Sequence, residues 1–295
     1  MKLLRFKEVK QISTFKRNCT YVLLRLLVKL LNQLRLTWLI NAYFEHKINK
    51  AFSNLNSAHP FSLNAVLARP VIHNFWLMQC PVSLLLNRVH DWVEFDGCQV
   101  YVADNFIISG DWSGLLTDIR TSSVYREAEH IHQYQLNFRQ SGLYQNYVNK
   151  LAKGKKIVRN KSNLNSVIKL DQYFLRYQAL FLSIKTHGLL NLKEARLKER
   201  SLNHVSKVRR WQASWTETEI GVAIGPKGEI ATLPGAKHRL SIATMLGIKA
   251  ARAQVRMVHV DWLSSIKKAK NQSWDDAIKV ALQSMDQQFS GALNK

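Results

Sequence analysis

The 295 residues carry 43 Lys and Arg against 20 Asp and Glu, a formal net charge of +23 at pH 7, with 46% hydrophobic residues, 12 Gly and 5 Pro. That apolar content excludes a disordered chain and suffices for one large domain or two smaller ones, while the charge points to polyanionic surroundings: nucleic acid, anionic lipid or phosphorylated substrates. Cys19, Cys80 and Cys98 have no CxxC spacing, so neither a zinc site nor a disulfide framework is indicated, and a reducing cytoplasmic compartment is expected.

Residues 1–50 form a basic region. Lys2, Arg5, Lys7, Lys10, Lys16 and Arg17 lead into a leucine-rich stretch from Tyr21 to Leu34. Arg25 and Lys29 interrupt that stretch, which argues against a secretory signal and against a membrane span, where a central charge costs about 2.5–3.5 kcal/mol. With Asn32 or Gln33 they recur at three- and four-residue steps, on one face of a helix whose other sides are mainly leucine. Such a helix either packs in the core with a narrow wet stripe or lies, through residues 1–35, on an anionic membrane surface at the inner face.

Residues 51–152 read as a helical region with short strands. His59-Pro60 and Arg69-Pro70 mark turns or helix ends. Trp92 to Val102 alternates around Asp96-Gly97 as a hairpin, and Phe106-Ile107-Ile108 reads as a strand ending in a Gly110-Asp111-Trp112 turn. Asp111 is therefore a carboxylate at a strand end, where either turn chemistry or catalysis places one. Ser122 to Ala152 reads as helical with a break at Ser141-Gly142. His130 and His132 lie two apart on it, do not face each other, and are expected to be ordinary surface histidines; no metal site is predicted.

Residues 153–169 read as a basic connector and domain boundary ahead of a domain over 170–295. From 151 to 210, fifteen Lys and Arg stand against Asp171, Glu194 and Glu199, a patch able to follow a phosphate backbone but without interleaved aromatics for single-strand stacking. Asp171 to His187 is helical, with Tyr173, Phe174, Tyr177, Leu180, Phe181 and Ile184 at helical steps and Gly188 ending the pattern. Glu219 to Gly225 alternates as a strand, Pro226-Lys227-Gly228 turns, and Glu229 to Leu233 returns. Pro234-Gly235-Ala236 then delivers Lys237, His238 and Arg239 onto the first turn of an amphipathic helix that Gly247 stops. A helix N-terminus favours anions through its outward N–H groups and its dipole, so this turn is the candidate ligand site. Ala253 to Val260 alternates as a closing strand, and residues 264–289 form a C-terminal helix with Trp274, Ile278, Ala281, Leu282 and Met285 on one face.

The ordered set Ser183-Ile184-Lys185-x-His187-Gly188, hairpin, Gly235-Ala236-Lys237-His238-Arg239 loop, helix, Leu246-Gly247 and strand resembles the ParB/sulfiredoxin-like domain over residues 170–262. Gly110-Asp111-Trp112 and the Tyr125-Arg126 helix resemble the amino-terminal part of ParB-like proteins often encoded near surface-polysaccharide genes. The resemblance implies nucleotide-phosphate binding, of ATP or CTP with Mg²⁺, by Lys237, His238 and Arg239, with Gly235 permitting the turn and Ser241 close to the helix start. Three departures narrow it. Lys237 stands where sulfiredoxin needs cysteine, too few residues follow the last strand for a helix-turn-helix DNA reader, and Ala236 replaces the usual glycine.

The expected fold class is α+β: a helical amino-terminal region, a small mixed-sheet domain of the ParB/sulfiredoxin kind and a C-terminal helix. The expected function is nucleotide binding, with phosphotransfer to a small or sugar-like acceptor in cell-surface polysaccharide metabolism as the candidate reaction and Asp111, then Glu217 and Glu219, as candidate bases. Two alternatives stand beside it: a non-catalytic nucleotide-binding module that docks to membrane or nucleic acid, and an ordinary basic helix start with no ligand.

Overall fold

Residues far apart in sequence share one sheet. A computed structural model of the chain describes residues 26–27, 30–53, 61–64, 77–95, 98–134, 137–159, 162–190, 220–267 and 272–293. Its elements run α1 (Thr37–Ser53), β1 (Phe61–Asn64), β2 (Leu77–Pro81), β3 (Asn87–Val89), β4 (Trp92–Phe95), β5 (Cys98–Tyr101), β6 (Asn105–Ile108) and β7 (Leu116–Asp118). They continue with α2 (Ser123–Gln133), α3 (Gly142–Ala152), β8 (Ile157–Arg159), β9 (Ser162–Leu164), α4 (Val167–His187), β10 (Ile220–Ile224) and β11 (Ile230–Thr232). The chain closes with α5 (Lys237–Met245), β12 (Ala250–His259), α6 (Val260–Ile266) and α7 (Trp274–Leu293).

The fold is α+β, built on an eight-stranded mixed sheet in the order β1-β6-β12-β10-β11-β3-β7, with β2 also on β12. β1, β2, β3, β6 and β7, from residues 61–118, and the strands of 220–259 are thus parts of one sheet, while β4 and β5 pair only with each other. β12, last in sequence, is its spine: it runs parallel to β10 on one side, and on the other it pairs antiparallel with β2 and then parallel with β6. Its alternation slips once, between Val255 and Met257, where Arg256 is the extra residue of a bulge. The Asp96-Gly97 hairpin forms, with Phe95 opposite Cys98.

One face of the sheet carries Val222, Ile224, Val255 and Val258 and packs against Phe44 and Ile48 of α1, Leu240 of α5, Leu263 of α6 and Ile278 of α7. The other face carries Ala223, Ala231 and Met257 under Trp112. A separate helical core joins α2, α3 and α4 around Phe138, Phe174 and Phe181. Serine hydroxyls cap all three of its helices: Ser122, Ser141 and Ser166 accept from the backbone N–H groups of Tyr125, Tyr144 and Lys169. The break read at Ser141-Gly142 is therefore the start of a new helix, and the Ser166 cap starts α4 four residues ahead of Asp171.

Residues 153–169 are more than a connector. β8 and β9 pair as a hairpin, with Ile157 opposite Leu164, and both side chains are buried in the helical core. The surrounding lysines masked these two apolar positions. Near the amino terminus, Leu26, Leu27, Leu30 and Leu34 are exposed and Leu31 is partly buried, so four of the five described leucines of the Tyr21–Leu34 stretch face away from the core. Arg25 and Lys29, and the basic stretch 191–210, lie outside the described residues. No described helix is long and apolar enough to cross a membrane.

Candidate functional site

The turn after β11 is built from both halves of the sheet. The Thr232 hydroxyl donates to the carbonyls of Leu85 and Asn87, and Thr232 pairs in parallel with Arg88 of β3. Leu233 N–H then donates to the Gly221 carbonyl at 2.8 Å, which fixes where the chain leaves the sheet. Gly235 has φ +122, a backbone conformation that L side chains rarely adopt, so glycine is required there. Ala236 points its methyl group into the sheet core and is the N-cap of α5 without offering a side-chain acceptor.

The helix that follows is not amphipathic as expected. Leu240, Ser241, Ile242 and Ala243 are buried in succession, because Leu240 and Ala243 pack in the sheet core while Ile242 belongs to the helical core. α5 is wedged between the two cores. Burial on all sides makes its position rigid, and with it the direction of its N-terminus.

Lys237 lies within electrostatic reach of Arg88 and Asp91. Burial lowers the Lys237 pKa first, the Arg88 charge lowers it further, and Asp91 partly offsets both. Arg88 is itself buried, its side chain only 7% exposed, with Nη2 donating to the Asp91 carboxylate and its Nε hydrogen without a partner among the described residues. Two cations and one carboxylate therefore act on one another across the start of α5, leaving a net positive charge where the dipole also favours an anion.

His238, expected to contact phosphate beside Lys237 and Arg239, packs on an aromatic ring. Its ring meets Tyr177 edge to face at 4.9 Å, and the Tyr177 hydroxyl donates to the Val124 carbonyl at 2.7 Å. Burial, helped by the Lys237 charge, holds the imidazole down to about 4, so it is neutral at physiological pH. A neutral ring still offers one N–H to a ligand. Ser241 is fully enclosed, and its hydroxyl has no partner among the described residues. Arg239 is half-buried on the same turn.

Asp111 is exposed at the other end of the β10–β12 pair. Its neighbour Gly110 accepts from His259 Nε2 at 2.9 Å, and His259 closes β12, whereas Gln254, five residues earlier on that strand, lies level with Gly221. Five strand residues span about 16 Å. The structure brings Lys237, His238, Arg239 and Ser241 together by helical succession and does not bring Asp111 to them along the strands. Glu217 and Glu219 lie outside the described residues.

Arg88 and Asp91 escaped the sequence reading. Their signal is an arginine two residues after the largely apolar run Val82 to Leu86, followed by an acid three residues on; the pairing of β3 with β11 that gives them meaning is non-local. Among the described residues no cluster of three His, Cys, Asp or Glu side chains is arranged to hold a metal ion, in keeping with the apposition of His132 on Phe181 and of His130 on Tyr134. Mg²⁺ bound mainly through nucleotide phosphates requires only one or two carboxylates from the protein, which Asp91 could help supply. Comparison with protein-family models, with curated proteins and with solved structures returns no match.

Proposed function

We propose that the chain binds the phosphates of a nucleotide at the start of α5 and, in its catalytic form, transfers a phosphoryl group to a small or sugar-like acceptor. The observation that supports this is that Lys237 at the start of α5 lies within electrostatic reach of the buried Arg88, beside a helix N-terminus whose cap residue has no side-chain acceptor. Two like charges held together and partly dehydrated are stabilised by a bound polyanion, and phosphate supplies the acceptor oxygens that Arg88 Nε and the helix start lack. The resemblance of the Gly235-to-Arg239 loop to the ParB/sulfiredoxin-like box points to the same ligand class, ATP or CTP with Mg²⁺.

Phosphoryl transfer asks of a protein mainly positioning and positive charge, with a carboxylate to orient the acceptor hydroxyl. Asp91, about half-exposed and within electrostatic reach of Lys237, is better placed for that role than Asp111 at the far end of β12. Its ion pair with Arg88 holds it in place.

Calorimetric titration of the protein with ATP and CTP in the presence of Mg²⁺, followed by assay of nucleoside diphosphate release with sugar and amino-acid acceptors, tests both steps. Lys237→Ala and Arg239→Ala should each weaken binding by about tenfold or more, the worth of a charge-assisted contact. Unchanged affinity in both variants would remove the site. Binding without turnover by any acceptor would leave a non-catalytic nucleotide-binding module.

A further inference from the structure

We propose that the outward face of residues 30–50 docks on an anionic lipid bilayer. The inference is independent of the nucleotide site. α1 divides its sides sharply: Ile40, Phe44 and Ile48, four residues apart, are buried. Leu39, Tyr43, His46 and Lys50 recur on the opposite side and are exposed, with Trp38 beside them at 61% exposure. Leu30 and Leu34, 51% and 57% exposed, extend this apolar surface upstream of the turn at Arg35.

The charge on this face has one sign. Arg35 and Lys50 are exposed, and the Lys47 ammonium lies 5.3 Å from the centroid of the Tyr43 ring. Glu45 is the one carboxylate in the sequence between residues 26 and 53, and it is turned inward, accepting from the Trp274 backbone N–H at 2.8 Å. Residues 1–25 add seven Lys and Arg against Glu8 in sequence. Exposed leucines with Trp and Tyr at their margin match the acyl boundary and headgroup level of a bilayer, and the cations match its phosphates.

Other occupants fit this face less well. A second copy would bring two cationic faces together across a twofold axis, which like-charge repulsion opposes. A nucleic acid would engage the cations and leave the leucines and Trp38 in water.

Flotation of the full chain with phosphatidylcholine vesicles containing about 30% phosphatidylglycerol, and with phosphatidylcholine alone, tests the proposal. The chain should float with the anionic vesicles and about tenfold less with the neutral ones. Leu34→Glu/Trp38→Glu should reduce the vesicle-bound fraction by about tenfold with an unchanged thermal midpoint, because both side chains are exposed, and Arg35→Glu/Lys50→Glu should reduce binding to the anionic vesicles alone. The proposal is overturned if the parent does not float, or if the Leu34→Glu/Trp38→Glu variant floats like the parent. It is equally overturned if the face instead supports a dimer in solution that this variant abolishes.

Discussion

Replacing Arg159 by methionine should destabilise the protein far more than loss of a surface arginine does. Glu127 of α2 is fully buried. Its Oε1 accepts from Arg159 Nε of β8 and from the Tyr147 hydroxyl of α3, each at 2.9 Å, and its Oε2 accepts from the Tyr173 hydroxyl of α4 at 2.6 Å. One carboxylate thus ties together three helices and a hairpin, and Arg159 is the counter-charge. Removing one partner of a buried ion pair costs about 3–5 kcal/mol. Here the Arg159 side chain is 27% exposed and two tyrosine hydroxyls remain on the carboxylate, so the cost should fall to about 2–3 kcal/mol. Urea denaturation followed by far-UV circular dichroism would read it as a lower midpoint at unchanged slope. The double variant Arg159→Met/Glu127→Gln should recover about half of the loss, since the amide carries no charge and keeps hydroxyl partners. A cost below about 1 kcal/mol for Arg159→Met, the range of exposed pairs, or a double variant no more stable than the single one, would refute the reasoning.

Three other outcomes follow from buried groups. The His238 imidazole has its pKa lowered from 6.5 to about 4 in the fold, so below about pH 6.5 the unfolded chain takes up the proton first and stability falls as pH drops toward 4; the loss is on the order of 3 kcal/mol. His238→Gln should flatten that part of the profile of unfolding free energy against pH, and a parent and variant with the same slope would contradict the burial argument. Ser241→Ala removes an enclosed hydroxyl that lacks a partner among the described residues, so the urea midpoint should rise by the equivalent of about 1 kcal/mol with nucleotide affinity unchanged; a fall in both would make the hydroxyl a ligand contact. Cys80 is buried and its thiol is pushed up to about 12 by burial, so peptide mass spectrometry should find it unlabelled by iodoacetamide in the native protein and labelled in concentrated guanidinium.

Local chemistry was readable where the signal was local. Ser141, Gly188, Gly228 and Gly247 marked caps and turns, and each serves as one in the structure. Tyr173 to Ile184 showed their helical spacing, and the turn of Gly235 followed by a basic helix start stood out from residues adjacent in the chain. Other features were hidden by context. Ile157 and Leu164 sit among lysines, and only their packing on the helical core shows them to be interior. α5 was read as amphipathic because a single chain segment cannot reveal that two different cores meet on its opposite sides.

By itself the sequence determined the α+β class, the glycine helix stops, the Asp96-Gly97 and Lys227-Gly228 hairpins and the basic turn at Gly235, because each depends on steric and hydrogen-bonding preferences a few residues long. Tertiary structure alone decided which charges meet there. β3 and β11 pair across almost 150 residues of chain, and only that pairing brings Arg88 and Asp91 within electrostatic reach of Lys237. It also decided that His238 is neutral, since the fold buries its ring, in contact with Tyr177 of α4, an element that no spacing rule relates to the turn. Charge state is a property of the environment, and the environment is assembled by the fold.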